Sequence, residues 1–84
     1  MKVSFDPDAW DDYIYLQNHD NSVLRKLNAL IRECQRHPFE GTGKPMALKA
    51  NYSGYWSRRI TREHRLVYWA GNGTLHIRQC RYHY

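Results

Sequence analysis

The run Arg81-Tyr82-His83-Tyr84 brings a guanidinium, an imidazole and two phenols together within four residues. Imidazole titrates close to neutrality, so His83 is the side chain best suited to pass a proton, and its position argues against a wholly buried structural role. Cleavage of RNA by its own 2′-hydroxyl needs an acceptor for the hydroxyl proton, a donor for the departing 5′-oxygen and positive charge around the phosphorane. His83 can be the donor and Arg65 can supply the charge. Arg59, Tyr68, Arg78, Arg81, Tyr82 and Tyr84 extend the set: guanidinium groups pair with phosphate, and rings stack on unpaired bases. The same residues also suit the exposed sides of strands, where tyrosine is common and arginine is solvated.

These side chains must be positioned by the elements before them. Val3 and Phe5 alternate with polar Lys2 and Ser4, as in a short strand. Asp6-Pro7 reads as a helix start, with the Asp6 carboxylate as cap and Pro7 in the first turn. Trp10, Tyr13, Ile14 and Gln17 then share one side of a helix ending near Asn18 to Asp20. A second helix starts at Asn21 or Ser22, with Val23, Leu27, Leu30, Ile31 and Cys34 at helical spacing, and Pro38 stops it near Arg36. The two helices should pack as a hairpin. Residues 37–47, with two prolines and two glycines, read as a connecting loop that lacks the spacing of a phosphate-binding P-loop.

Strands follow over Tyr55–Thr61, His64–Ala70 and Thr74–Arg81, the last two joined by Gly71-Asn72-Gly73, a tight-hairpin composition. Alternation sets Trp56, Arg58 and Ile60 against Tyr55, Ser57, Arg59 and Thr61, and sets Leu75 and Ile77 against His76 and Arg78. The expectation is an α+β domain spanning residues 1–84 in the order βααβββ, with the helical hairpin on one face of a largely antiparallel sheet.

Net charge is +5, unevenly spread: residues 1–20 balance to −4 and residues 21–84 to +9. Such asymmetry steers a polyanion or an acidic protein segment toward one face, although a solvated basic surface also accounts for it. His19, His37, His64 and His76 have no metal-ligand spacing, and neither metal nor cofactor is expected. Cys34 and Cys80 have no CxxC neighbour and read as small core residues. Asp11 and Asp12 suit the positive end of a helix dipole and need not be catalytic. No leader and no 18-residue apolar stretch is present, so a cytoplasmic protein is expected, without a membrane partner.

Several stretches together resemble one family across the chain: Trp10-Asp11-Asp12-Tyr13, Pro38-Phe39-Glu40-Gly41, Gly43-Lys44-Pro45, Leu48-Lys49, Gly54 to Ile60, Glu63 to Tyr68, and Arg81 to Tyr84. They are similar to the YoeB family of RelE-like toxins. The resemblance implies a ribosome-dependent mRNA endoribonuclease that enters the A site of the 70S ribosome, cleaves the exposed codon by 2′-hydroxyl attack, and is neutralised by a YefM-like antitoxin. It implies His83 as general acid, Arg65 as transition-state stabiliser and Tyr84 as the aromatic that organises the site. Lys44, Lys49, Arg59 and Arg81 are further cations expected near RNA. The family often forms dimers, which leaves monomer and homodimer both open for this chain.

Met46 departs from the pattern. Relatives commonly carry a glutamate here, proposed to accept the nucleophile's proton, and a thioether has no comparable basicity. Glu40 and Glu63 are carboxylates of suitable chemistry, but neither matches the base position. An attenuated or non-cleaving ribosome- or RNA-binding protein, or an antitoxin-binding regulatory module, are the competing readings.

Overall fold

A computed structural model describes residues 1–83; Tyr84, expected to organise the site, lies outside the described residues. The chain runs β1 (Lys2–Phe5), α1 (Pro7–His19), α2 (Asn21–Arg36), β2 (Met46–Ala47), a 3₁₀ turn (Ala50–Tyr52), β3 (Trp56–Arg59), β4 (Arg65–Gly71) and β5 (Thr74–Gln79). The sheet order is β1-β5-β4-β3-β2, with β1 parallel to β5 and every other pairing antiparallel. The α+β class and helical hairpin are as expected; β2 is an addition. Two residues paired as Met46↔Ser57 and Ala47↔Trp56 carry too little alternation to be legible within a Pro- and Gly-rich loop.

The α2 face is built as its periodicity requires. Val23, Leu27, Leu30, Ile31 and Cys34 are buried against Leu66, Tyr68, Leu75 and Ile77 of the sheet, each large side chain contributing roughly 1.5–3 kcal/mol. Asp20 caps this helix, its carboxylate accepting from the Val23 amide at 3.2 Å. The α1 face differs from expectation. Ala9 and Leu16 face the core, whereas Trp10 is 48% exposed and Gln17 is exposed. Trp10 instead stacks on Tyr13 at 5.7 Å and meets Phe5 edge-on, so aromatic contact replaces burial. Asp6 makes no side-chain cap bond; its carboxylate lies 4.0 Å from Arg78 across the sheet edge. Cys34 and Cys80 are free and buried, and burial pushes the Cys80 thiol up to about 12.

A tight turn closes the sheet at the end away from Arg59 and Arg65, and a long loop lies at the other. Asn72 (φ 55°) and Gly73 (φ 72°) both take positive φ, as the tight β4–β5 hairpin demands. Before β2 the long loop is held by Arg58, which is wholly buried. Its guanidinium donates to the carbonyl oxygens of Thr42 (3.2 Å), Glu40 (2.8 Å) and His37, to the Glu33 carboxylate (3.0 Å) and to the Tyr68 hydroxyl (3.1 Å). Burial opposes this charge, but the bonds to Tyr68 and Glu33 hold its pKa above the ordinary arginine value. A side chain resembling a surface arginine in the sequence is therefore the post on which residues 37–42 hang. Tyr68, expected on the ligand face, is fully buried on the core side, where its hydroxyl donates to the Pro38 carbonyl. Plain alternation along β4 accounts for this, with Leu66, Tyr68 and Ala70 turned to the core and Arg65 to the other face, while the register shift opposite Val67 and Tyr68 places its extra residue, Arg78, on β5.

Candidate active site

The period of two in β3 separates neighbours: Arg58 points into the core, and Ser57 and Arg59 share the opposite face. On that face Met46 pairs with Ser57 and Arg59 with Arg65. Two arginines directly opposite each other repel, an arrangement that a stability-driven surface avoids and that an anion would relieve. Gly43, Lys44, Met46, Ser57, Arg59, Arg65 and His83 together line a shallow cleft of about 200 Å³. No carboxylate is among these described lining residues.

The loop reaches the cleft through a close backbone approach. The Arg59 amide donates to the Gly43 carbonyl at 2.8 Å, and a Cβ on Gly43 (φ 86°) would stand 2.9 Å from the Arg59 carbonyl oxygen. Only glycine fits there. Lys44 follows with φ 54° and Met46 with 56% of its surface exposed, so the thioether belongs to the cleft wall and not to the core.

Arg65 is held from beneath. Its Nη1 donates to the carbonyl oxygens of Thr61 (2.8 Å), His64 (3.1 Å) and Arg62 (3.2 Å), all in the turn between β3 and β4. Its own amide donates to the Tyr82 carbonyl at 2.9 Å, which continues the β4–β5 ladder beyond Gln79 and brings His83 to the cleft. The Tyr82 amide donates to His64 Nδ1 at 2.8 Å. In the sequence His64 has no legible role; in the fold it touches the segment that carries His83. The only signal for it is its place beside Arg65.

The expected site residues divide in two. Lys44, Met46, Arg59, Arg65 and His83 converge. Arg81 lies apart from that cleft: its guanidinium sits 3.4 Å above the Tyr15 ring and also contacts the Tyr82 ring and hydroxyl. With Arg78, Asp8, Asp12 and His83 it lines a neighbouring depression, where the acidic start of the chain meets basic residues of the end. Burial raises the Asp12 carboxyl above its ordinary value, opposed by the Cys80 amide and Arg81. Lys49 precedes the 3₁₀ turn and does not line the cleft. Glu40 is largely exposed beside His37, and Glu63 borders a different depression with His64 and Arg81. A larger hollow of about 370 Å³ lies along α2, but Glu33 and Thr42 there are already bonded to each other, and neither Arg65 nor His83 reaches it. Among the described residues no group of His, Cys, Asp and Glu could hold a metal ion, and no helix is long and apolar enough to cross a membrane.

The cleft therefore combines fixed positive charge with a titratable imidazole and a backbone held at several points, an arrangement suited to stabilising a charged phosphoryl transition state. The chain is also similar to known proteins along its whole length. Toxin YoeB of Escherichia coli K12 is 54% identical over 84 residues, covering all of both chains. The YoeB/ParE toxin structure from Agrobacterium tumefaciens superposes with a TM-score of 0.96 at 50% identity, again over both whole chains. YoeB in the heterotetrameric YoeB–YefM complex of Staphylococcus aureus superposes at 0.92 with 44% identity, over 100% of this chain and 98% of that one, and a YoeB dimer from the same organism at 0.93 with the same identity and coverage. Residues 5–84 match the family described as YoeB-like toxin of bacterial type II toxin-antitoxin system, and with this architecture and these full-length relatives the chain belongs to the YoeB-like toxins.

Proposed function

We propose that this toxin is a ribosome-dependent endoribonuclease that cleaves mRNA in the ribosomal A site. The observation that carries the reading is the cleft in which Lys44, Arg59 and Arg65 gather around His83 with no carboxylate among the described lining residues. Messenger RNA enters with its scissile phosphate against Arg59 and Arg65. The 2′-oxygen attacks the adjacent phosphorus, its proton leaves to a base, and the bond to the 5′-oxygen breaks as His83 delivers a proton to that oxygen. The products are a 2′,3′-cyclic phosphate and a new 5′-hydroxyl. Arg65 stabilises the added charge on the phosphorane, and because its guanidinium is tethered to three carbonyls it needs little reorganisation to do so. Tyr84 completes the site as the terminal aromatic, and Lys49 and Arg81 contact RNA farther from the reacting phosphate.

Met46 cannot take the nucleophile's proton, and with no carboxylate among the described lining residues we assign that role to water in the open cleft. Positioning and charge still lower the barrier without a dedicated base, so the enzyme is slower than a glutamate-bearing relative. A second reading, a non-cleaving ribosome-binding toxin, is favoured by Met46 alone. A YefM-like antitoxin neutralises the toxin by covering the basic face, and toxin pairs form as in the Staphylococcus dimer; the site of action is the cytoplasm, where ribosomes are.

Purified toxin incubated with programmed ribosomes should cut within the A-site codon, and His83→Ala should lose the cut while still binding. No cut at excess toxin over a long incubation, with binding retained, would replace the nuclease by the non-cleaving reading.

A further inference from the structure

We infer that His64 is a positioning residue for His83, acting as a fixed hydrogen-bond acceptor that captures the Tyr82 amide and so sets where the imidazole of His83 enters the cleft. The inference rests on the nuclease reading for its catalytic consequence, but the tether itself stands on geometry.

Tyr82 takes φ 64°, a left-handed conformation that a residue with a Cβ adopts only when its surroundings impose it. Two consecutive residues grip it. The Tyr82 amide donates to His64 Nδ1 at 2.8 Å, and the Tyr82 carbonyl accepts from the Arg65 amide at 2.9 Å. Gln79 Nε2 adds weaker support, donating to the carbonyls of Arg81 (3.0 Å) and Tyr82 (3.3 Å). The turn at Tyr82 is what carries the chain from the end of β5 to the cleft, so its geometry decides the position of the next residue.

His64 is itself immobilised. Its amide donates to Thr61 Oγ1 at 3.2 Å, and its carbonyl accepts from the Ile60 amide (3.0 Å), the Thr61 amide (3.3 Å) and Arg65 Nη1 (3.1 Å). The same carbonyl thus steadies Arg65 while the ring steadies the segment bearing His83, and one residue keeps the two in register. Because a backbone N–H can only donate, Nδ1 must be the unprotonated nitrogen, and the neutral ring carries its proton on Nε2. This is a role for a specific acceptor and not for an aromatic ring in general.

The test uses three substitutions in the full chain. Asparagine places Oδ1 the same number of bonds from Cα as His Nδ1, phenylalanine keeps the ring without an acceptor, and alanine removes both. His64→Phe and His64→Ala should cleave A-site mRNA about tenfold to a hundredfold more slowly at saturating ribosomes, with half-saturation little changed, since the loss is of alignment and not of binding. His64→Asn should recover most of the rate. Amide exchange at Tyr82, read on the same free proteins, should quicken about tenfold in the Phe and Ala variants and stay near wild type in the Asn variant. A Phe variant that cuts as fast as wild type, or an Asn variant as impaired as Phe, would overturn the role in catalysis. Equal Tyr82 exchange in all four proteins would overturn the tether. A wild type that binds ribosomes and never cuts would sink the nuclease reading instead, and the exchange measurement would still decide the tether.

Discussion

Replacing Arg58 by alanine should destabilise this domain far more than loss of a surface arginine does. The side chain is wholly buried and donates to the carbonyls of His37, Glu40 and Thr42, to the Tyr68 hydroxyl and to Glu33. Alanine leaves three carbonyls and a phenol oxygen without that donor, at about 1 kcal/mol for each, and water entering the vacated space restores part. A net loss of about 3 kcal/mol is a large share of the roughly 4–12 kcal/mol expected for a chain of this length. At about 4–8 °C per kcal/mol for a domain of this size, the melting temperature should fall by about 12–24 °C. Thermal denaturation followed by circular dichroism measures this directly. Native-state amide exchange over residues 37–45 supplies the local half, because the loop should lose protection before the helices do. Arg58→Lys keeps the charge but cannot span the separated acceptors, so it should recover less than half of the loss. An Arg58→Ala protein melting within about 4 °C of wild type, with loop protection unchanged, would refute the idea that this guanidinium holds the loop carrying Lys44 and Met46.

Met46→Glu should raise A-site cleavage by about a hundredfold, the lower end of general-base effects, because Lys44, Arg59 and Arg65 around the carboxylate reduce its basicity; ribosome affinity should change little, and an unchanged rate would remove Met46 as the cause of attenuation. Hydrogen bonds from Thr42, and then the bond and charge of Arg58, hold the Glu33 carboxyl below its ordinary 4.5. A depressed folded pKa favours the fold above the unfolded value and loses that contribution as pH falls through the folded one, so melting temperature should drop below about pH 4.5. Glu33→Gln should flatten this acid limb, and an unaltered slope would assign the limb to other carboxylates. Burial pushes the Cys80 thiol up to about 12 and also raises Cys34, so at pH 8 both stay in the unreactive thiol form. Neither cysteine should react with a disulfide reagent until the protein unfolds; rapid labelling of the native toxin would contradict their burial.

Both helices, the β4–β5 hairpin and the inward face of α2 follow from residue spacing, because a period of 3.6 or 2 reports which side of an element is apolar and needs only local residues. Family likeness was equally legible, since it rests on residue identities along the whole chain, and it singled out Arg65, His83 and the anomaly at Met46. Spacing says nothing, however, about what covers a face. Arg58 and Arg59 are neighbours in one strand; the first is a buried structural post and the second a cleft cation, because backbone carbonyls 16 to 21 residues away meet one and solvent meets the other. For the same reason the two-residue strand at Met46, the burial of Tyr68 and the placement of Arg81 against Tyr15 were decided by contacts between distant segments. Sequence alone determined which chemical groups this toxin has available, and tertiary structure decided which of them stand together, since only closure of the sheet brings Lys44, Met46, Arg59, Arg65 and His83 into one cleft.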